Sequence, residues 1–211
     1  MLAQQWGTAM LLLAGLGNPG QKYGNNRHNA GMLAVDAIAD RYRLAAPRHR
    51  FQGVTRDGLI AGEKVVCLKP LTFMNLSGQS VGEAMRFFRL TPADIVVFHD
   101  ELDLAPGKLR IKTGGGNGGH NGLRSIDAHI GTEYRRVRLG IGHPGSKDLV
   151  TPYVLSDFTA QESKEWLAAF LDAIGACAEY LTRGEDAAFQ SRVAALLKPN
   201  PRPERPSKDN L

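Results

Sequence analysis

The stretch Met10–Gly20 reads MLLLAGLGNPG and decides how the fold begins. It opens with a short apolar run that ends at Gly-Asn-Pro-Gly, a typical turn sequence. This pattern predicts a buried strand whose loop emerges at one edge of a sheet. The next apolar residues, from about 29 to 42, have helical spacing. A buried strand followed by a helix predicts an α/β fold.

Strands and helices alternate along the rest of the chain. Apolar or alternating runs predict strands at 51–55, 63–69, 94–99, 108–112 and 136–142, and helical spacing predicts helices from 76 to about 89 and over about 121–130, 160–183 and 185–197. Strands of alternating polarity are typical of mixed sheets. We therefore expect a single-domain α/β/α sandwich with a mixed, largely parallel sheet over 1–197. The proline- and charge-rich residues 198–211 are expected to form a disordered tail.

Composition places the chain among ordinary globular proteins. Of its 211 residues 43% are apolar and 22% charged, and no apolar run approaches the roughly 18 residues that span a bilayer. The first basic residue, Lys22, follows the first apolar stretch, which argues against a signal peptide. Cys67 and Cys177 lie in apolar segments without metal-ligand spacing. We expect buried thiols in a reducing compartment, hence a cytoplasmic protein with no membrane partner.

Positive charge is concentrated in one part of the chain. The net charge is +5, and residues 108–147 hold eight basic residues against two acidic ones. Alternation places Arg110 and Lys112 on one face of the 108–112 strand, and Arg136 and Arg138 on one face of the 136–142 strand. A basic face of this kind is typical of nucleic-acid binding, although charge alone also fits a solvated surface.

The sequence Gly15–Gly20 also matches the dinucleotide-binding pattern G-x-G-x-x-G. That site requires a helix to open at once, so that the helix N-terminus meets the pyrophosphate. Here turn-forming residues follow, and no helix is expected to begin before about His28. The spacing therefore disfavours a nicotinamide cofactor.

A histidine at the mouth of the first helix is the main candidate for catalysis. His28 follows a loop that also carries Asn18 and Tyr23, polar groups suited to positioning a substrate. Loops at strand ends are where α/β sheets place ligands. A neutral imidazole with an ordinary pKa near 6.5 can accept a proton from water. A purely structural histidine is the alternative.

An acidic loop, HDELD at 99–103, follows another apolar run. One carboxylate at a strand end can orient an imidazole and stabilise its protonated form, and either Asp100 or Asp103 could serve. A metal centre is the alternative, but no other His/Asp cluster has ligand spacing. We therefore expect no metal.

Two further loops have binding or structural interpretations. Asn75 either caps the following helix or binds a substrate carbonyl or ribose hydroxyl. The glycine run 114–119 allows close backbone approach to a ligand, or acts as a hinge. It lacks the Gly-Lys-Ser/Thr ending of a nucleotide-binding P-loop.

Read together, these motifs resemble the bacterial type of peptidyl-tRNA hydrolase. The resemblance covers roughly residues 10–190 and rests on GLGNPG, Tyr23, RHNAG, FMNLSG, HDELD, GGGNGGHNGLRSI and RVRLGIGHP, in that order. It implies a cytoplasmic, monomeric enzyme that acts on peptidyl-tRNA without metal, cofactor or obligatory protein partner. It also implies one α/β domain.

The resemblance also implies roles for individual residues. His28 matches the catalytic histidine, Asp100 its supporting carboxylate, and Asn18 the asparagine that distinguishes peptidyl-tRNA from free aminoacyl-tRNA. Positions that contact the acceptor end and the peptide match Tyr23, Phe73, Asn75 and Asn121, and positions that grip phosphate match Arg110, Lys112 and Arg138.

Asn26 departs from the family pattern, which usually has threonine there, and the residues before Met10 and the proline-rich tail lie outside it. No serine or cysteine has nucleophile-elbow spacing, so attack by water is preferred to an acyl-enzyme. Two other classes of protein are alternatives. A non-catalytic RNA-binding module would explain the charge, and a Rossmann oxidoreductase would explain the glycine pattern alone.

Overall fold

The computed structural model describes residues 10–198. They form a seven-stranded sheet in the order β2-β3-β4-β1-β5-β7-β6, with helices on both faces. The strands are β1 Met10–Gly15, β2 Arg48–Arg50, β3 Gly53–Ile60, β4 Glu63–Pro70, β5 Ile95–Glu101, β6 Leu109–Thr113 and β7 Arg135–Gly140. The helices are α1 Ala30–Arg41, α2 Ser77–Phe88, α3 Asn121–Ile130, α4 Val150–Val154, α5 Ala160–Glu162, α6 Ala168–Thr182 and α7 Asp186–Leu196.

The centre of the sheet is parallel and its edges are antiparallel. Strands β4, β1, β5 and β7 run in the same direction, whereas β2, β3 and β6 are paired antiparallel to their neighbours. The expected mixed α/β/α sandwich is confirmed, with its parallel pairs confined to the middle. All four central strands therefore end at one edge of the sheet, where their loops meet.

Two apolar layers hold the helices against the sheet. Helices α1 and α6 pack on one face, where Val35, Ile38 and Ile174 are buried. Helices α2 and α3 pack on the other face, where Val81 and Ile126 are buried. Each strand of the centre is thus covered on both sides, which explains why β1 and β5 are apolar runs without alternation.

Two short elements escaped prediction, and one long helix is interrupted. β2 is Arg-His-Arg, three polar residues at the sheet edge, and α4 is only five residues long and contains Pro152, so neither was predicted from a hydrophobic pattern. The expected helix over 160–183 consists of α5, a π-helical turn at Ser163–Leu167, and α6. The predicted disordered tail lies, apart from Lys198, outside the described residues.

The loop after β1 is too long for a dinucleotide site. It contains 3-10 turns at Gln21–Tyr23 and Arg27–Asn29, and α1 begins only at Ala30. The helix then starts directly against the strand ends. A Cβ at Gly31 would lie 2.2 Å from the carbonyl oxygen of Phe98, so only glycine permits this approach. A dinucleotide site needs an α-helix directly after the glycine pattern, and in the described part of the chain none begins there. The alternative of a Rossmann oxidoreductase is therefore wrong.

Within residues 10–198, every helix falls short of the length and apolar character needed to cross a membrane.

Candidate active site

A cavity of about 1360 Å³ opens where β1 and β5 end. The connection after β1 leads to α1 on one face, and the connection after the neighbouring β4 leads to α2 on the other face. Such a divergence is where open α/β sheets bind ligands. The cavity exceeds the range of about 300–1,000 Å³ typical of small-molecule pockets. Its wall includes Asn18, His28, Phe73, Asn75, Asp100, His120 and Asn121.

His28 and Asp100 meet at the base of this cavity. His28 lies in the 3-10 turn before α1, Asp100 lies near the end of β5, and Nδ1 of His28 is 2.9 Å from Oδ1 of Asp100. Their side chains are 12% and 3% exposed. Of the two carboxylates that the sequence left open, it is therefore Asp100 that reaches the imidazole. Asp103 instead lies in the exposed turn after β5.

Burial and charge act against each other in this pair. Burial lowers the pKa of His28, but the charge and hydrogen bond of Asp100 outweigh it, so the pKa of His28 lies above its ordinary value. Burial would raise the pKa of Asp100, but the two neighbouring histidines hold it well below its usual range. Asp100 is therefore an anion that only accepts hydrogen bonds. His28 must donate from Nδ1, which leaves the lone pair of Nε2 as its basic site.

His120 is a third member of this group that the sequence did not single out. Its Nε2 lies 3.0 Å from the same Oδ1 of Asp100. Its Nδ1 accepts hydrogen bonds from the backbone N–H groups of Gly122 and Leu123, so the side chain caps α3. An Nδ1 that accepts from two N–H groups carries no proton, and therefore Nε2 donates to Asp100. We call His28, Asp100 and His120 the histidine–aspartate cluster.

The cluster also has the composition of a metal site. One ligand atom from each residue lies within 4.8 Å of the others. A metal would require the lone pair of His120 Nε2, and the proton would then have to move to Nδ1, where two N–H groups already point. The hydrogen bonds therefore suit an ionised carboxylate between two imidazoles better than a metal ion.

His99 lies beside this group but is not a base. It is 2% exposed, and its Nδ1 donates to the backbone oxygen of Asp100. Burial, helped by the nearby His120, lowers the pKa of His99 to about 3. A neutral ring of this kind fixes the end of β5 without adding charge.

Three asparagines expected at the site line the cavity from three different segments of the chain. Asn18 follows β1, Asn75 lies in the 3-10 turn before α2, and Asn121 opens α3. Asn75 is exposed and is not the N-cap of α2, which disfavours the capping interpretation. Phe73 lines the same cavity and is 59% exposed.

The orientation of Asn18 is fixed. Its Oδ1 accepts a hydrogen bond from the backbone N–H of Met74 at 2.9 Å. The side-chain oxygen is thus engaged by the wall, and the Nδ2 amino group of this cavity-lining residue remains available as a donor.

The basic residues expected to bind phosphate lie at the rim. Lys112 and Arg138 line the cavity, whereas Arg110 is exposed on β6 directly opposite Arg138. Nε of Arg138 donates to Glu101 at 2.9 Å, so part of its charge is compensated. We call Arg110, Lys112 and Arg138 the cationic face. Tyr23 lies on the same loop as His28, half-buried, but outside the cavity wall.

The expectation that Arg136 belongs to this basic surface is wrong. Its side chain is 2% exposed, and it donates to the Asp127 carboxylate of α3 at 2.9 Å and to the Gly116 carbonyl at 2.8 Å. It points to the predicted face of β7, but α3 covers that part of the face. Arg136 therefore anchors the glycine run rather than a ligand.

Sequence reasoning also passed over Arg27. It is buried, forms an ion pair with Glu162 at 2.6 Å, and donates to the oxygen atoms of Ser156 and Asp157. It thus ties the turn that carries His28 to the segment after α4. Its partners lie more than 125 positions away, so no local pattern could identify them.

Known proteins share both this sequence and this architecture. The peptidyl-tRNA hydrolase family model matches residues 12–200. The chain is 57% identical over 202 residues to the peptidyl-tRNA hydrolase of Parvibaculum lavamentivorans, covering 95% of this chain and 98% of that protein. It is 62% identical over 196 residues to that of Cereibacter sphaeroides, covering 93% and 86%. The crystal structure of peptidyl-tRNA hydrolase from Acinetobacter baumannii superposes with a TM-score of 0.82 at 41% identity, covering 89% and 96%.

The matched range extends from β1 past α7 and therefore includes every loop that lines the cavity. The likeness is as extensive in the fold as in the sequence. The chain belongs to the peptidyl-tRNA hydrolase family.

Proposed function

We propose that this chain hydrolyses the ester between a peptide, or an N-blocked amino acid, and tRNA by attack of a water molecule that His28 deprotonates. The reaction is that of the family, and it returns free tRNA to translation. The observation that carries the assignment of the base is the bond from His28 Nδ1 to a buried, ionised Asp100. That bond fixes the tautomer and leaves Nε2 as the proton acceptor.

The chemistry then follows in two proton transfers. Nε2 of His28 takes a proton from water while the water oxygen attacks the ester carbonyl carbon. The tetrahedral intermediate collapses, the bond to the ribose oxygen breaks, and the protonated imidazole returns its proton to that oxygen. Asp100 stays ionised and stabilises the imidazolium. General-base assistance of this type is worth about 10²–10⁴ in rate.

Asn18 is the best-placed donor to the carbonyl oxygen as it becomes negative. Its Oδ1 is engaged by Met74, so Nδ2 is held as a donor before the substrate arrives. The same donor, placed on the acyl side, suits the discrimination between peptidyl-tRNA and aminoacyl-tRNA. Asn75 and Asn121 line the cavity and are proposed to bind the terminal nucleotide and the peptide with Phe73 and Tyr23.

The cationic face is proposed to bind the phosphates of the acceptor stem. Arg110, Lys112 and Arg138 project from one face of β6 and β7, beside the cavity mouth. With three phosphate contacts, the logarithm of affinity falls against the logarithm of salt concentration with a slope of about −2 to −3. A slope near zero would show that this face does not bind the phosphates of tRNA.

We further propose that residues 1–197 act as one hydrolase domain in the cytoplasm, where translation produces the substrate. The enzyme is proposed to be a monomer that needs no metal, cofactor or protein partner. Light scattering at micromolar concentration and activity after dialysis against a chelator check these assignments. A dimer mass, or activity that disappears with the chelator and returns with a metal, would overturn them.

The decisive experiment measures release of labelled N-acetyl-amino acid from charged tRNA. His28→Ala is expected to lower kcat about 10²–10⁴-fold. His49→Ala is the matched control, because His49 is an exposed histidine on β2. Equal rates for wild type and His28→Ala would remove His28 from the mechanism, and an RNA-binding module without hydrolysis predicts that result.

A further inference from the structure

The residue that follows the catalytic histidine has no access to substrate. Asn29 is 3% exposed and lies behind the cavity wall, between the loop after β1 and the start of α1. A buried amide must find partners for both of its polar ends. The identity of these partners indicates what Asn29 does.

Both ends of the Asn29 side chain bind the backbone of a single residue, Asn18. Oδ1 of Asn29 accepts from the N–H of Asn18 at 2.8 Å, and Nδ2 of Asn29 donates to the carbonyl oxygen of Asn18 at 3.0 Å. The side-chain amide therefore pairs with the backbone as a neighbouring strand would. This pairing also fixes which end is oxygen, because exchanging them would place donor against donor and acceptor against acceptor.

The space between the two segments is matched to this amide. A Cβ at Gly17 would lie 2.8 Å from Cγ of Asn29 and 2.7 Å from Sδ of Met32. Any side chain at Gly17 would therefore displace Asn29 or Met32. The sequence Gly17-Asn18 leaves room for the Asn29 amide while presenting an amide of its own to the cavity.

Asn18 is consequently held at two points. Asn29 fixes its backbone, and the N–H of Met74 fixes its side-chain oxygen. Only the Nδ2 group remains for a ligand. The direction of that donor depends on both restraints, because freedom at either point would let the side chain rotate away from the ester carbonyl.

The geometry points to Asn29 as a positioning residue that places the Asn18 donor against the acyl carbonyl. The inference rests on the proposed role of Asn18. Adjacent residues in one 3-10 turn then supply the base, His28, and the support for the donor, Asn29. His28 and Asn29 are covalent neighbours, and Asn29 holds Asn18 through two hydrogen bonds, so a shift of that turn would move the base and the donor together.

The test is a double-mutant cycle with N-acetyl-aminoacyl-tRNA as substrate. Asn29→Ala is expected to lower kcat about 10–10²-fold, since a misplacement of about 1 Å can cost that much, while KM changes less than about threefold. In the Asn18→Ala background the same substitution should lower kcat less than about twofold, because the donor is already absent. Asn29→Ala should also reduce the preference for blocked over free aminoacyl-tRNA, as is expected of Asn18→Ala.

Ser80→Ala serves as the matched structural control. Ser80 is fully buried and donates to the carbonyl oxygen of Phe51, away from the cavity. Its loss should lower the unfolding midpoint without changing kcat or the substrate preference. Asn29→Asp keeps the acceptor and the size of the side chain, and it provides a second variant if Asn29→Ala does not fold.

The outcomes separate the two claims. If Asn18→Ala keeps wild-type kcat and substrate preference, the proposed role of Asn18 fails. If Asn18→Ala loses activity but an Asn29 variant lowers kcat equally in both backgrounds, the role of Asn18 stands and the inference about Asn29 is wrong. An unchanged kcat in a folded Asn29 variant also overturns the inference.

Discussion

The histidine–aspartate cluster and the cationic face differ in how their charges are held. The cluster is largely buried: the side chains of His28, Asp100 and His120 are 12%, 3% and 10% exposed. Each of them has a hydrogen-bond partner at 2.9 to 3.0 Å. The cationic face is open, and its only ion pair in the described residues is that of Arg138 with Glu101. Charges in water are screened within about 10 Å at ordinary salt, whereas buried charges are screened much less. A single change should therefore be severe in the cluster and mild on the face.

The largest effect is expected from Asp100→Asn. Asparagine keeps the size of the side chain but donates from Nδ2, which favours the wrong tautomer of His28. We expect kcat/KM to fall on the order of 10²–10⁴-fold. The charge that raises the pKa of His28 is also lost, so the acid limb of the residual activity should move to lower pH. The pH dependence of kcat/KM measures both effects.

Asp103→Asn is the control for that change. Asp103 also lines the cavity, but in the exposed turn after β5. It should retain near wild-type rates with an unmoved acid limb. If both variants lose activity to the same extent, Asp100 has no special place in the chemistry.

The second effect concerns Arg136. It lies on the same face of β7 as Arg138 of the cationic face, but it is buried like the members of the cluster. Asp127→Asn removes the countercharge of the buried Arg136. An unpaired buried charge of this kind costs about 3 kcal/mol or more. Glu101→Gln, which breaks the more exposed pair with Arg138 on the same strand, should cost less than about 1 kcal/mol. Urea unfolding of the two variants gives the comparison, and equal losses would contradict the distinction by burial.

A third, smaller effect tests whether His120 influences the pKa of His28, the proposed base. In His120→Asn the new side chain can still cap α3, but it no longer reaches Asp100. With one donor fewer, Asp100 should stabilise protonated His28 more strongly. Because His28 must be neutral to act as the proposed base, the acid limb of kcat/KM should move to higher pH by about half to one unit. His120→Ala, which also removes the cap, should lose about 1 kcal/mol of stability in addition. An acid limb that moves to lower pH would show that His120 does not compete for Asp100.

Much of the fold and the centre of the site could be predicted from local patterns. The apolar runs at β1 and β5 identified the buried strands, and the candidate residues Asn18 and His28 follow β1, while Asp100 lies near the end of β5. The choice between Asp100 and Asp103 needed the structure, because β5 continues to Glu101 and holds Asp100 against the turn before α1, whereas Asp103 lies in the exposed turn that follows.

The omissions have a common physical cause. His120 lies in a glycine-rich segment 20 positions from Asp100, and its role exists only because the start of α3 meets the end of β5. Alternation assigned Arg136 and Arg138 to one face correctly, but it contains no information on how far α3 extends over that face. Local periodicity therefore predicts where a side chain points, while tertiary packing decides whether water reaches it.

The smallest effect, expected on the cationic face, distinguishes binding from chemistry. Lys112→Ala should raise KM about two- to fivefold with kcat unchanged, since an exposed charge contact is worth about 0.2–1 kcal/mol. The slope of the logarithm of affinity against the logarithm of salt concentration should fall in magnitude by about 1, because one phosphate contact is lost. Lys64→Ala is the matched control, as Lys64 is an exposed lysine near the amino end of β4, away from the cavity. If Lys112→Ala instead lowers kcat at saturating tRNA, Lys112 acts on the reacting ester. The cationic face would then contribute to the chemistry, as the cluster does, and not to binding alone.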